Sequence, residues 1–244
     1  MKAINLLLAV IAISFSLVLK AQSIPTINLY AENLPPNNYL NEQGQITGEA
    51  TKKVKAIMEH AGLDYNIQVY PWARAYKLAR DNAYAGVFSM MRSKQREPYF
   101  RWICPIAEQE SLYFIRLASR TDIILNEIND AKNYMTSVSQ DEFDHQLLLQ
   151  HGFEPRKHFG QTTGDSTNLR LLLSGHTDLI IAAPTTIAQA MKNKPADTPE
   201  VIMELSLNTS RDNPLCLAFG LRTPQEVVDK LQQSLDELNT KQGH

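Results

Sequence analysis

The sequence predicts an α/β protein, and three observations carry that prediction. Short apolar runs of strand length alternate with longer stretches of helical period from residue 26 to the C-terminus. Glycine, proline and capping residues punctuate the helical stretches at their ends. No fixed-period repeat and no low-complexity linker interrupts the alternation.

Residues 26–30 form the first strand-like run. Residues 32–39 hold Pro35 and Pro36, which exclude regular helix or central strand, so an ordered loop is expected. Residues 41–48 read as a surface turn. From Glu49 to His60, Ala50, Val54, Ile57 and Met58 fall on one helical face with Ala61, and Gly62 is placed to stop the helix. In 65–70, Ile67 and Val69 alternate with polar neighbours as in a strand. Pro71 suits the first turn of a short helix bearing Trp72, Arg74 and Tyr76. Residues 85–90 are a buried strand.

Residues 111–116 are an apolar strand leading into the middle of the chain, where the alternation restarts. Strands are expected at 134–138, 178–182, 201–205 and 215–221. Helices are expected at 142–151, at 168–174 before Gly175, and at 184–191. Thr223-Pro224-Gln225-Glu226 is a capping box with proline at the first helical position, opening a last helix striped by Val227, Leu231, Leu235 and Leu238.

The 244-residue chain has 24 Lys and Arg against 26 Asp and Glu, a formal charge of −2. It lacks the basic footprint of a nucleic-acid binder. Residues 1–23 read as a secretory signal peptide: Lys2, an apolar run over 4–19, then Lys20 and the small-x-small triplet Ala21-Gln22-Ser23, with cleavage after Ala21 or Ser23. An uncleaved N-terminal anchor is the alternative, although Lys20 breaks the run short of the roughly 20 residues that span a bilayer. About 220 residues then remain, enough for one large domain or two small lobes, and a monomer is expected. The two cysteines, Cys104 and Cys216, either pair in an oxidising compartment or sit apart as small buried apolar residues, and their spacing does not decide between these.

The usual enzyme signatures are missing. There is no Gly-x-Ser-x-Gly elbow and no phosphate-cradling loop. His145 and His151 are six apart, which sends them to different helix faces rather than to one metal. Gly160 and Gly164 lack the strand-to-helix context of a dinucleotide site, and no acidic pair is singled out by spacing. Binding therefore outranks catalysis, and no metal or cofactor is expected.

Between Tyr70 and Trp102, arginines and large aromatics interleave: Pro71-Trp72-Ala73-Arg74-Ala75-Tyr76, then Arg92-Ser93-Lys94-Gln95-Arg96-Glu97, Phe100 and Trp102. A guanidinium offers a planar fork for a carboxylate, and the aromatics offer flat walls. The combination suggests a pocket for a small anionic or zwitterionic molecule.

These residues also carry a resemblance. Tyr30-Ala31-Glu32 followed by Pro35-Pro36, Gly44 and Gly48 before the first helix, Tyr70 to Tyr76, Phe88-Ser89, Arg92-Ser93, Arg96-Glu97, Phe100-Arg101-Trp102 and Pro105-Ile106 resemble the extracellular solute-binding proteins of family 3. They are closest in pattern to a polar amino-acid uptake type often found without an adjacent transporter. Leu172-Leu173-Ser174-Gly175 with Asp178 matches more loosely. The resemblance implies a two-lobed periplasmic-binding-protein type II fold. Residues 24–110 and 217–244 would form lobe one and 111–216 lobe two, with crossing hinge strands at 111–116 and 214–219.

It also implies site residues. Arg96, after Ser93-Lys94-Gln95, matches the arginine that clamps the ligand carboxylate; the plainer alternative is a structural ion pair with Glu97 or another carboxylate. Arg92 is a second anion contact or a surface charge. Trp72 and Arg74 would face the cleft, with Tyr30 and Glu32 at the end of the first strand and Ser89 offering donors; each has a packing or surface role as its alternative. Ala183 stands where amino-acid binders carry an aspartate for the ligand's ammonium, so the usual α-amino-acid ligand loses one contact. The implied role is capture of a small, carboxylate-bearing polar solute in the periplasm for an ABC permease. A sensor input docking on a membrane receptor is one rival, and a small-acid lyase or dehydratase using Glu32 as acid or base is another.

Overall fold

The strand-forming runs pair into two separate five-stranded sheets. The computed structural model describes residues 24–192, 194–207 and 214–242, so the expected signal peptide lies outside the described residues. The first sheet has the order β4-β1-β5-β12-β6, from β1 (Ile27–Ala31), β4 (Tyr65–Val69), β5 (Ala85–Met91), β6 (Phe100–Ala107) and β12 (Leu215–Gly220). The second has the order β11-β7-β10-β8-β9, from β7 (Tyr113–Leu117), β8 (Thr136–Ser139), β9 (Phe159–Thr162), β10 (Leu179–Ala182) and β11 (Val201–Ser206). β1 is parallel to both β4 and β5, and β8 to both β9 and β10. β12 and β7 run antiparallel to their neighbours. A two-stranded hairpin, β2 (Tyr39–Leu40) and β3 (Ile46–Thr47), lies where a surface turn is expected.

Helices cover both faces of each sheet, which is why the central strands are apolar on both sides. α1 (Glu49–His60) and α6 (Gln225–Gln242) share one face of the first sheet, burying Val54, Ile57, Leu231 and Leu235 against Ile27, Leu29 and Phe219. α2 (Trp72–Asp81) covers the opposite face through Trp72, Ala75, Tyr76 and Ala79, one stripe at helical spacing, packed on Tyr30, Val87 and Phe100. On the second sheet, α3 (Phe143–Gln150) packs Leu148 against Phe114, Val138 and Phe159. α4 (Asp165–Leu173) and α5 (Pro184–Met191) pack Leu169, Leu172 and Ile187 on the other face against Ile115 and Ile180. Each such fully buried aliphatic side chain contributes about 1.5–3 kcal/mol. Among the described residues, no helix is long and apolar enough to cross a membrane.

The chain leaves the first sheet after Ala107 and enters the second at Tyr113; it returns between Ser206 and Leu215. The crossings expected at 111–116 and 214–219 are thus largely strand already paired within one sheet or the other. Leu215 and Cys216, assigned from sequence to the second lobe, pair with Met91, Ala107 and Met90 in the first sheet. Cys104 on β6 and Cys216 on β12 form a disulfide with Cα atoms 4.7 Å apart. Two strands have no counterpart in the sequence reading, β6 and β9. Both are sheet edges, and β6 tolerates Pro105 for that reason.

Candidate functional site

In both sheets the parallel strands end on the side that faces the other sheet. Glu32 follows β1, Ser89 and Met91 close β5, and Glu108 follows β6. Across from them, Glu142 follows β8, Asp165 follows β9, and Ala183 follows β10. The carboxyl ends of parallel strands are where open α/β sheets place ligands. Here the two sets of ends enclose a cavity of about 440 Å³ lined from both sheets.

Local structure delivers each group to that cavity. The loop after β1 is held by Asn38 Nδ2, which donates to the Glu32 carbonyl at 2.7 Å. The same loop caps α1, since the Glu49 and Thr51 N–H groups donate to the Pro36 and Asn37 carbonyls at 3.2 Å. Gly48 makes this close approach possible: its φ is +117°, and a Cβ there would sit 2.3 Å from the Asn37 oxygen. Gly48→Ala is expected to lower the unfolding free energy by about 2 kcal/mol, measured by urea titration, from left-handed strain plus backbone overlap. Ser89 sits in a register shift where Phe88 and Ser89 oppose the single residue Leu217, with φ +59°. Its hydroxyl lines the cavity, is buried, and has no hydrogen-bond partner among the described residues.

The charge of the cavity is one-sided. Glu32, Glu142, Asp144 and Asp165 line its interior, and exposed Glu49, Glu108 and Glu110 its rim; among the described residues no Lys, Arg or His lines it. Burial, followed by the charge and hydrogen bond of Glu142, holds the Glu32 carboxyl well above the usual carboxylate range. Glu142 is also raised by burial, though its bond from Glu32 and the nearby Arg96 guanidinium pull it back. Burial and mutual proximity therefore drive the pair toward holding a proton, Glu32 the more strongly raised of the two. Asp144 is raised well above normal by burial and then by the charges of Asp165 and Glu142. Asp165 is pushed up to about 7 by burial and by Glu142, despite accepting a hydrogen bond from Ser139 Oγ at 3.1 Å. The set is a store of protonatable carboxyls facing an enclosed space. Among the described residues, no three His, Cys, Asp or Glu side chains are placed to hold a metal ion.

The structure divides the residues expected at the site. Glu32 and Ser89 line the cavity. Arg96 does not. It is fully buried beside the cavity, with Nη1 donating to the Met91 carbonyl at 2.9 Å and Nη2 to the Asp141 carbonyl at 2.8 Å. Glu142 stands 3.8 Å from Nη2, and the guanidinium lies over the Trp72 ring at 5.2 Å. Both Nη groups are thus engaged by backbone carbonyls, while Nε is buried with no hydrogen-bond partner among the described residues, so the fork is not open to the cavity as a carboxylate clamp. Trp72 is likewise buried, and its Nε1 donates to the same Asp141 carbonyl at 3.0 Å. The two side chains join the first sheet to the turn after β8 rather than forming a ligand wall. Tyr30 packs with Tyr70 in the core beneath α2. Arg74 is exposed and stacks on Tyr70 at 3.9 Å. Arg92 is exposed and pairs with Glu97.

The sequence reading missed Glu142, Asp144 and Asp165. Each lies at or just inside a helix start, where a carboxylate ordinarily complements the helix dipole and caps free N–H groups. Glu142 indeed accepts from the Phe143 N–H at 3.3 Å. Their shared destination is set by tertiary packing between the sheets. The one sequence signal was two helix starts, each following a strand and each acidic.

The family model of the bacterial extracellular solute-binding proteins, family 3, matches residues 27–242. No curated protein sequence matches the chain. Among solved structures, a histidine kinase sensor domain with similarity to periplasmic binding proteins superposes with a TM-score of 0.78 at 14% identity, covering 90% of this chain and 92% of that one. An ancestral arginine-binding protein bound to arginine gives 0.72 at 17%, covering 90% and 94%. The arginine-, lysine-, histidine-binding protein ArtJ from the thermophilic bacterium Geobacillus stearothermophilus gives 0.72 at 16%, covering 88% and 90%. At such identities the likeness is one of fold, that of the type II periplasmic binding proteins.

Proposed function

The chain belongs to the bacterial extracellular solute-binding proteins, family 3, and from that membership we propose that it captures a small polar solute between two lobes in the periplasm, as a binding protein and not an enzyme. The observation that carries this reading is the cleft of about 440 Å³ lined from both sheets. A solute held there touches both lobes and favours their closure. Residues 24–107 with 215–244 serve as one lobe and 113–206 as the other, with the two connections as hinge. The arginine-binding structures of the same fold support an organic nitrogenous solute.

The captured solute is handed to an ABC permease. A second reading, presentation to a membrane signalling receptor, draws on the likeness to the histidine kinase sensor domain. Loss of solute uptake on deleting the gene supports the permease; intact uptake with a lost transcriptional response supports the receptor.

A thermal-shift screen of amino acids, amines, dicarboxylates and short peptides tests the binding function itself. A cognate solute at 100 times its Kd should add about 2.7 kcal/mol of stability. Turnover of a small acid, lost in Glu32→Gln, would instead point to an enzyme.

A further inference from the structure

Resting on the solute-binding reading, we propose that the cavity selects an aliphatic di- or polycation, an amine or guanidine without a carboxylate. The interior presents Glu32 and Ser89 from the first sheet and Glu142, Asp144 and Asp165 from the second, with no cationic side chain among the described lining residues. The nearest buried cation, Arg96, does not line the cavity: its two Nη groups are directed to the Met91 and Asp141 carbonyls, its Nε is buried without a partner among the described residues, and it leans on Glu142. A ligand carboxylate would therefore enter a space walled by acids, exposed ones at the rim and buried ones within, with no cationic side chain among the described lining residues to meet it. Even the start of α5, where backbone donors point inward, is filled by the protein's own acid: the Thr185 N–H donates to Glu110 Oε2 at 3.2 Å. Ala183 offers neither charge nor hydrogen bond.

A cation meets the opposite situation. Buried carboxyls packed close together repel one another when ionised and so retain protons, and an ammonium or guanidinium displaces those protons and relieves the repulsion. Ser89, nine-tenths buried, belongs to the same wall, and its hydroxyl has no hydrogen-bond partner among the described residues. Between the polar groups, Met91, Ile106, Phe143, Ile181 and Leu215 supply apolar surface for methylene segments. Several carboxyls spread over two sheets suit several cationic ends on one chain better than a single metal ion.

Binding of such a ligand releases protons, so affinity rises with pH. The groups that set this are Glu32 after β1, Glu142 and Asp144 at α3, and Asp165 at α4, with Arg96 behind Glu142. Glu49, Glu108 and Glu110 at the rim are exposed and add long-range attraction that salt screens.

The test is calorimetric titration of the purified protein with agmatine, spermidine, arginine and succinate. Agmatine differs from arginine by the missing carboxylate alone, so the pair isolates the claim. Agmatine or spermidine should bind at least about tenfold tighter than arginine, and succinate should give no heat. Affinity for the better amine should rise from about pH 6 to about pH 8 with proton release, seen as a heat that depends on buffer ionisation enthalpy. Asp165→Asn and Asp144→Asn, neutral shapes close to the protonated acids, should keep the fold, judged by far-UV circular dichroism, and weaken amine binding about tenfold or more. Tighter binding of arginine than of agmatine, or binding of succinate, overturns the charge class and leaves the solute-binding reading standing. Silence from all four, together with silence from the wider solute screen, overturns both.

Discussion

Arg96→Ala is expected to lower the free energy of unfolding by about 3–5 kcal/mol, because it strips a buried guanidinium from partners that stay buried. The Met91 and Asp141 carbonyls each lose a charged donor, Glu142 loses the counter-charge beside it, and the Trp72 and Tyr76 rings lose the cation stacked on them. Urea titration with an unchanged slope would read the loss directly. Arg92→Ala is the control, since its pair with Glu97 is exposed and should shift stability by less than about 0.5 kcal/mol. A carboxylate clamp behaves in the opposite way: its alanine variant keeps the apo stability and loses the ligand. An Arg96→Ala protein as stable as its parent would restore the clamp. Arg96→Lys should fall between, because an ammonium cannot address two carbonyls in one plane.

Breaking the Cys104–Cys216 bridge is expected to cost about 2–5 kcal/mol. The bridge closes a loop across a sequence separation of 112, and long loops gain most from a covalent tie. It also joins neighbouring strands of one sheet, so the thiols should stay close in the native state even when reduced. Paired denaturation curves with and without reductant, alongside the Cys104→Ala/Cys216→Ala double variant, check this. Equal midpoints in all three would mean that the covalent tie adds nothing.

Where apolar periodicity was strong, the elements were legible. The helix over Glu49–His60 and the helix over Pro184–Met191 were read to the residue, and both lobes' central strands were read within two residues. Two edge strands, β6 and β9, were not, because β6 is interrupted by Pro105 and β9 is only four residues long and half polar, whereas the edges β4 and β11 were read. The site was half legible for a different reason. Arg96 and Trp72 did mark a place where the chain concentrates polar contacts, but a buried arginine that accepts a ligand and one that ties two segments together carry the same sequence. Which it is depends on the Asp141 carbonyl, 45 residues away and turned by a left-handed backbone, φ +63°. The carboxyls of the cavity were hidden by doubling as helix-start residues.

β12 lies between β5 and β6, although it is the last strand of the chain. During synthesis, the stretch 113–206 emerges with every strand of its own sheet and is able to finish folding. The sheet begun by β1 must meanwhile wait with the seat between β5 and β6 vacant. Only after residue 220 has emerged can that seat be taken, and Cys104 meet its partner. Truncation shortly before Leu215 should therefore leave one half ordered and the other half, though almost fully synthesised, without the strand that joins β5 to β6.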